Sequence, residues 1–280
     1  IFIFSRNFLV AQVSTQKAII SFTSDSDCSV DIFDTMDNFY NDQRSTKTLI
    51  IQKGKTITYL TKEIKDLAVI RLDFSNIGKT EIIIFPKDSI GINLSQAAEG
   101  KHKLIFQGNN HEGQQYMHEN YYAIPLMKYM AIIYSTLKEY KEHKKHIGSI
   151  IPEINEKIMN PLLKGIDATS STSGYIHAAK TDVQCYLLSY ICLTMDMLIS
   201  KKYIETSRSD SAIIVSKIDS ITHLIPLSSE LCCLSSGRLY ASTKIKYSKL
   251  SEDVSSIFGK YKDYLSAPEY MWLPMLSQAC

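Results

Sequence analysis

Ile105-Phe106-Gln107-Gly108-Asn109-Asn110-His111-Glu112-Gly113-Gln114-Gln115-Tyr116 divides the chain into two unlike halves. Before this stretch, apolar residues recur about every second position, the period of a half-buried strand. After it they recur about every 3.6 positions, the period of an amphipathic helix. Within it two glycines bracket a polar turn, the composition of a connection rather than of either element. The reading that follows is α+β: an antiparallel β-sandwich domain over residues 13–108 and an all-helical domain over residues 109–280.

Toward the N-terminus the runs are short and separated by turn residues. Ala18-Ile19-Ile20-Ser21-Phe22 precedes the turn Ser24-Asp25-Ser26-Asp27, and Ser29 to Met36 follows with Val30, Ile32 and Phe33 apolar. Thr48-Leu49-Ile50-Ile51 leads through Lys53-Gly54-Lys55 into Thr56-Ile57-Thr58-Tyr59-Leu60. Ala68-Val69-Ile70-Arg71-Leu72-Asp73-Phe74 alternates, and Asn76-Ile77-Gly78 ends it. Glu81-Ile82-Ile83-Ile84-Phe85 is an unbroken apolar run, which predicts a central strand. Ile90-Gly91-Ile92-Asn93-Leu94 and Lys103-Leu104-Ile105-Phe106 complete the set. About seven or eight short strands with no strand–helix–strand alternation argue a sandwich and against a doubly wound parallel sheet.

Toward the C-terminus, Tyr122, Leu126, Tyr129, Met130, Ile133, Leu137 and Tyr140 fall at helical spacing between Tyr116 and Lys145. Helix ends are expected at Gly148, near Pro161 and at Gly165, where the backbone loses a donor or gains freedom. Ser170-Ser171-Thr172-Ser173-Gly174 reads as a polar loop, and a long helix follows from Ile176 to Lys202. Further helical patterns lie at 209–225, 228–247 and 252–265. The array comprises about five or six helices.

A chain of 280 residues, 45% hydrophobic and 21% charged, can bury a sizeable core. Its 31 basic and 29 acidic residues are spread along the sequence and leave a net charge of only +2. That is not the one-sided basic field of a nucleic-acid binder, so no nucleic-acid partner is expected. No stretch reaches the ~18 apolar residues of a membrane helix, so no membrane span is expected. Residues 1–12, with Ile1-Phe2-Ile3-Phe4, Phe8-Leu9-Val10 and Ala11 before Gln12, read as the remnant of an export signal; the alternative is an ordinary first strand. Export would place the protein in the periplasm or cell envelope.

The six cysteines are Cys28, Cys185, Cys192, Cys232, Cys233 and Cys280, with no CxxC pair. That removes the redox dithiol and the usual zinc-knuckle spacing together. Cys185 and Cys192 lie two helical turns apart among Tyr186, Leu187, Leu188 and Ile191, and read as small core residues on one helix face.

The order of elements, and the phrase Phe106-x-Gly108-x-Asn110-x-x-Gly113-x-x-Tyr116 after Ile84-Phe85-Pro86-Lys87-Asp88-Ser89-Ile90-Gly91-Ile92, resembles the N-terminal region of TlpA-like thiol–disulfide oxidoreductases of Gram-negative bacteria. The likeness covers residues 80–120 most directly. It implies a β-sandwich followed by helices, in an exported protein whose chemistry resides in a later thioredoxin domain with a Trp-Cys-x-x-Cys motif. This chain departs from the pattern there: its one tryptophan, Trp272, precedes Leu273-Pro274-Met275. The resemblance therefore implies an accessory region without the activity.

Candidate sites are each outweighed by a plainer reading. His111-Glu112 and His118-Glu119 offer ligand types, yet suit a helix start with Asn109 or Asn110 as cap and Glu112 near the positive helix end. His143 and His146 sit one turn apart, but among lysines that repel a cation. Asp25, Asp27 and Asp31 lack the spacing of a calcium loop. Ser173-Gly174 and Ser236-Gly237 lack the nucleophile-elbow pattern, and no phosphate-binding glycine motif occurs. Tyr121, Tyr122, Tyr129, Tyr134 and Tyr140 read as core with hydroxyls at the surface, the alternative being a binding groove. No catalytic, cofactor-binding or metal-binding residue is assigned, and no cofactor is expected. The expected function is that of a non-catalytic binding or scaffold module with a protein or peptide partner. The alternatives are a fragment of a thiol–disulfide oxidoreductase whose thioredoxin domain lies beyond residue 280, and a helical-repeat peptide-binding protein.

Overall fold

The computed structural model describes residues 16–34, 47–75, 77–96, 102–122 and 150–200. It also describes short stretches at 131, 135–136, 138–139, 216, 220–221, 224–226, 234, 236–237, 239–240 and 243–244. Expectations for residues 1–12, Tyr129, Tyr134, Tyr140, His143, His146, Cys232, Cys233 and Cys280 lie outside the described residues.

Eight strands form where the alternating runs stand: β1 Ile19–Ser24, β2 Cys28–Asp34, β3 Lys47–Ile51, β4 Ile57–Leu60, β5 Ala68–Phe74, β6 Gly78–Ile84, β7 Ser89–Gln96 and β8 His102–Gly108. They make two four-stranded sheets, ordered β4-β1-β7-β8 and β3-β2-β5-β6. The alternation decides which side chains go inward. Ile20, Phe22, Val30, Ile32, Ile70, Leu72, Phe74, Ile82, Ile92, Leu94, Leu104 and Phe106 fill one core between the sheets. Phe22 and Phe74 meet edge to face across it, with ring centroids 6.2 Å apart.

One pair departs from the antiparallel expectation. β1 runs parallel to β7, with Ile19 opposite Ser89 and Ser24 opposite Leu94. The five strands between them cross from one sheet to the other, so β1 and β7 meet without a hairpin. Side-chain alternation records which face is buried but not which way the neighbour runs, so this pair is invisible to it.

β6 also departs from expectation, being the end strand of its sheet rather than a central one. Its unbroken run, Ile82-Ile83-Ile84, is fully buried because both faces are covered. Ile82 and Ile84 face the sandwich core, while Ile83, with Val69 and Leu67, faces the helices. An unbroken apolar run reports two covered faces, and here the second cover is helical rather than another strand.

The helical part begins with α1, His111–Met117, which continues as a π turn over His118–Tyr122. Further on, α2 spans Ile150–Ile154, a π turn Asn155–Met159, α3 Asn160–Asp167 and α4 Ser173–Ser200. Neither Pro161 nor Gly165 ends a helix. Pro161 stands in the first turn of α3, directly after the π turn in which Asn160 N–H reaches back to Asn155 O, and the helical path continues through it. Gly165 lies inside α3 with the phenol end of Tyr116 packed against it, where a Cβ would collide. Met117, Tyr121, Ile158, Leu162, Ile166, Tyr175, Ala179, Val183, Cys185 and Cys192 share a core with Val69 and Ile83. That core crosses the position of the expected domain boundary, so the described helices form a third layer on the back of the β3-β2-β5-β6 sheet. No helix among the described residues is long and apolar enough to cross a membrane.

Candidate functional site

The stretch that divides the sequence is a junction of all three layers. β8 and β6 are the end strands on one side of the sandwich, and each presents unpaired backbone groups. α1 lies along that side and offers two consecutive glutamines. Gln115 Oε1 accepts from Phe106 N at 3.1 Å, and Gln115 Nε2 donates to Leu104 O at 3.0 Å, both on β8. Gln114 Nε2 donates to Ile83 O on β6, and Gln114 Oε1 accepts from the Tyr175 hydroxyl of α4 at 3.2 Å. One turn later the buried His118 ring pairs with Thr80 Oγ1 at 2.9 Å and lies 5.8 Å from the Phe106 ring. Burial holds that imidazole below its ordinary value.

The asparagines and glycines of the phrase fix this geometry. Gly108 has φ +86°, and a Cβ there would strike the Ser89 carbonyl. Asn109 pairs with Ser89 twice, N–H to O at 3.0 Å and Oδ1 from N–H at 2.9 Å. Asn110 adopts φ 54°, and its side chain makes no cap bond to its own helix. Instead its Oδ1 accepts from Thr172 N at 2.9 Å and Thr172 Oγ1 at 3.0 Å. Glu112, expected to serve the helix end, accepts from Ser170 N at 2.8 Å, and that bond lowers its carboxyl. Gly113 donates to Ser171 Oγ at 3.0 Å, and a Cβ there would overlap the Tyr175 ring. The loop from Ser170 to Thr172 is thus bolted to α1, and Thr172 Oγ1 accepts from Tyr175 N at 3.3 Å at the start of α4.

A second cluster, not assigned from the sequence, lies beneath the π turn. Asp182 of α4 is fully buried, 0% exposed. Its Oδ1 accepts from Ser236 N at 2.9 Å and its Oδ2 from the Tyr122 hydroxyl at 3.2 Å. Tyr121 Oη lies 3.2 Å from Ser236 Oγ, and its ring meets Tyr186 at 5.4 Å and Tyr122 at 4.9 Å. Burial, reinforced by the Glu81 carboxylate, pushes the Asp182 carboxyl up to about 7. Burial likewise pushes the Tyr121 and Tyr175 phenols well above their ordinary value. The signal was present in the sequence: helical spacing puts Asp182 on the stripe of Tyr175, Ala178, Ala179, Cys185 and Ser189, an acid among core residues.

The other candidates are dispersed. His111 is exposed with Nδ1 3.2 Å from Gly108 O, whereas His118 is interior, so the two do not converge. Glu119 is exposed and pairs with Lys103 at 3.4 Å and Gln115 Nε2 at 2.8 Å. Asp27 accepts from Lys53 N at 2.7 Å and Asp31 from Thr48 Oγ1 at 2.6 Å, which makes them strand-linking groups. Ser173 and Gly174 open α4, and Ser236 is enclosed beside Asp182. Among the described residues, no three His, Cys, Asp or Glu side chains are grouped to hold a metal ion.

No protein-family model matches the sequence. None of the curated proteins matches it either.

Proposed function

We propose that this chain is a non-catalytic binding or scaffold module whose partner is a protein segment in extended conformation. The observation that carries the reading is the contrast between the two sides of the sandwich. On one side the ends of both sheets, β6 and β8, are closed by Gln114 and Gln115. On the other, among the described residues, β3 and β4 stand at the ends of their sheets with a strand on one flank only. Ile50 of β3 and Leu60 of β4 are 64% and 55% exposed there, and Lys47, Lys53 and Lys55 are exposed beside them. Strand addition at such an edge takes affinity from main-chain hydrogen bonds and specificity from alternate side chains. The lysines favour a segment that carries carboxylates and discourage edge-to-edge pairing of two copies.

The likeness of residues 80–120 to the front end of TlpA-like proteins supports a further part of the proposal: the module is an accessory one, exported to the periplasm or cell envelope. An in-frame Trp-Cys-x-x-Cys beyond residue 280 would replace this reading with that of an oxidoreductase.

The direct test selects peptides from a displayed random library against the full chain, then measures their affinity for Ile50→Glu and Leu60→Glu. Acidic, extended binders that lose at least about tenfold in affinity on both variants are expected, roughly 1.4 kcal/mol. Binders indifferent to both substitutions, or a selection that yields none, would remove the proposal.

A further inference from the structure

Resting on the strand-addition reading above, we propose that the extended partner segment pairs with β4, antiparallel to it, and carries a carboxylate two residues before an apolar side chain that lies beside Leu60.

Hydrogen-bond alternation decides which backbone groups of β4 are open. β1 and β4 pair antiparallel, with Ile19 opposite Leu60 and Ser21 opposite Thr58. Thr61 N donates to Ala18 O at 3.1 Å, while Ile19 N donates the other way, to Asp88 O beside β7, at 2.8 Å. Even-numbered positions along β1 therefore bond β4, through Ile57, Tyr59 and Thr61. Thr58 and Leu60 turn their N–H and C=O groups away from β1, toward the free flank. Nothing among the described residues bonds these groups. They recur at every second residue, the spacing at which an antiparallel neighbour exchanges paired hydrogen bonds.

Charge chooses between this edge and that of β3. On the outer face beside β3, Asp31 lies opposite Thr48 on one flank and Asp73 on the other. Two carboxylates there, against the single lysine Lys79 paired with Asp73 at 3.6 Å, oppose an acidic segment. On the outer face at β4 the order is Thr58, Leu60 and then Lys62, with Ser21, Ile19 and then Lys17 along β1 beside them. Leu60 and Ile19 are cross-strand partners and both exposed, so they offer one apolar contact next to the lysines. Lys53, Lys55, Lys62 and Lys65 outnumber Glu63 and Asp66 along the same edge.

This register reads out as a sequence pattern in the partner. The residue opposite Leu60 donates to Leu60 O and accepts from Leu60 N. The residue opposite Thr58 comes two positions later in an antiparallel segment, and the one beside Lys62 two positions earlier. The segment therefore runs acidic-x-apolar-x-polar in chain order, with the acid facing Lys62 and Lys17. Its alternate side chains turn to the inner face of the sheet, toward the free flank of β3 where Ile50 stands.

The test titrates the isotope-labelled full chain with the blocked peptide Gly-Glu-Thr-Ile-Thr-Thr-Gly and its reverse, Gly-Thr-Thr-Ile-Thr-Glu-Gly, read by amide NMR. The first is expected to bind about threefold more tightly, the worth of one rim ion pair. It is expected to shift the amides of Thr58 and Leu60 downfield and to leave those of Ile57 and Tyr59 in place. N-methylation of its Ile should weaken binding by about tenfold, and N-methylation of the Thr that follows should not. The opposite N-methyl pattern, equal binding of the two peptides, or binding by neither overturns the proposal. Shifts at Thr48 and Ile50 instead move the segment to β3 and overturn it while leaving strand addition intact. The broader reading fails separately, through selected binders indifferent to both Ile50→Glu and Leu60→Glu. Thr58 and Leu60 amides already protected in the free protein overturn the proposal as well. The edge is then taken, by a second copy where protection rises with concentration and by this chain itself where it does not.

Discussion

Gln115 meets Phe106 as the peptide of a neighbouring strand would. Its Oε1 accepts the Phe106 N–H at 3.1 Å while its Nε2 donates to the preceding unpaired carbonyl, that of Leu104, at 3.0 Å. One side-chain amide supplies the donor and acceptor that the end of a sheet lacks, and it does so from a helix, which cannot itself be extended into a ladder.

Gln115→Leu keeps the bulk and removes both bonds. It should cost about 1–2 kcal/mol, because the Phe106 and Leu104 groups are left partly buried and unpaired. It should also raise the tendency to self-associate, since β8 becomes an open edge. Urea denaturation and size-exclusion chromatography check the two effects; a variant as stable and as monodisperse as wild type would show that the amide does not close the edge.

Three glycines should respond differently to alanine. Gly108→Ala places a Cβ against the Ser89 carbonyl at positive φ, and Gly113→Ala drives one into the Tyr175 ring. Each is expected to cost about 1–3 kcal/mol. Gly174→Ala meets only Phe85, at 3.8 Å, inside the first turn of α4, so it should leave the melting temperature unchanged or raise it. Equal losses at all three positions would contradict the packing described.

Acid should act through His118. The unfolded chain takes up the proton near the ordinary histidine value of 6.5, while the buried ring resists it to lower pH. Stability is therefore lost as pH falls below about 6.5. His118→Gln should lose less between pH 7 and pH 5 than wild type does, compared by denaturation midpoints at each pH. Parallel losses in the two proteins would assign the acid sensitivity elsewhere.

Cys28, Cys185 and Cys192 are buried thiols, and burial pushes the Cys192 thiol up to about 12. Iodoacetamide at neutral pH should leave these three unmodified in the native protein and label them in denaturant, as read by peptide mass spectrometry. Rapid native labelling of Cys192 would show that α4 opens in a way the fold does not suggest.

Much of the architecture is legible in residue patterns because the relevant signal is local. All eight strands coincide with alternating or unbroken apolar runs, and α4 with the apolar stripe from Tyr175 to Cys192. What is not legible is relational. The direction of β1 against β7 and the end position of β6 depend on where the chain crosses between sheets, which no window of sequence contains. Pro161 and Gly165 look like helix breaks, and cease to be so because a π turn precedes one and Tyr116 covers the other. The phrase from Ile105 to Tyr116 was recognisable by its polar residues, yet its glutamines work on strands and its asparagines on loops. Asp182 carried a readable cue, an acid on an apolar stripe, whose meaning needed Tyr122 and Ser236 beside it.

The parallel pairing of β1 with β7 also sets an order in time. β5 and β6 can zip together as soon as both exist, because the turn between them is short. β1 can meet β4 once residue 60 exists, but its other flank must wait until residue 89 is available to lie beside residue 19, and that long loop makes the parallel partnership slow to close. As the chain leaves the ribosome, the β3-β2-β5-β6 sheet should take shape first, with the other sheet assembling late around β7. Pulsed hydrogen exchange during refolding should find Ile70 and Ile82 protected before Ile19, whose N–H bonds across to Asp88 O beside β7; simultaneous protection would mean that the two sheets condense together.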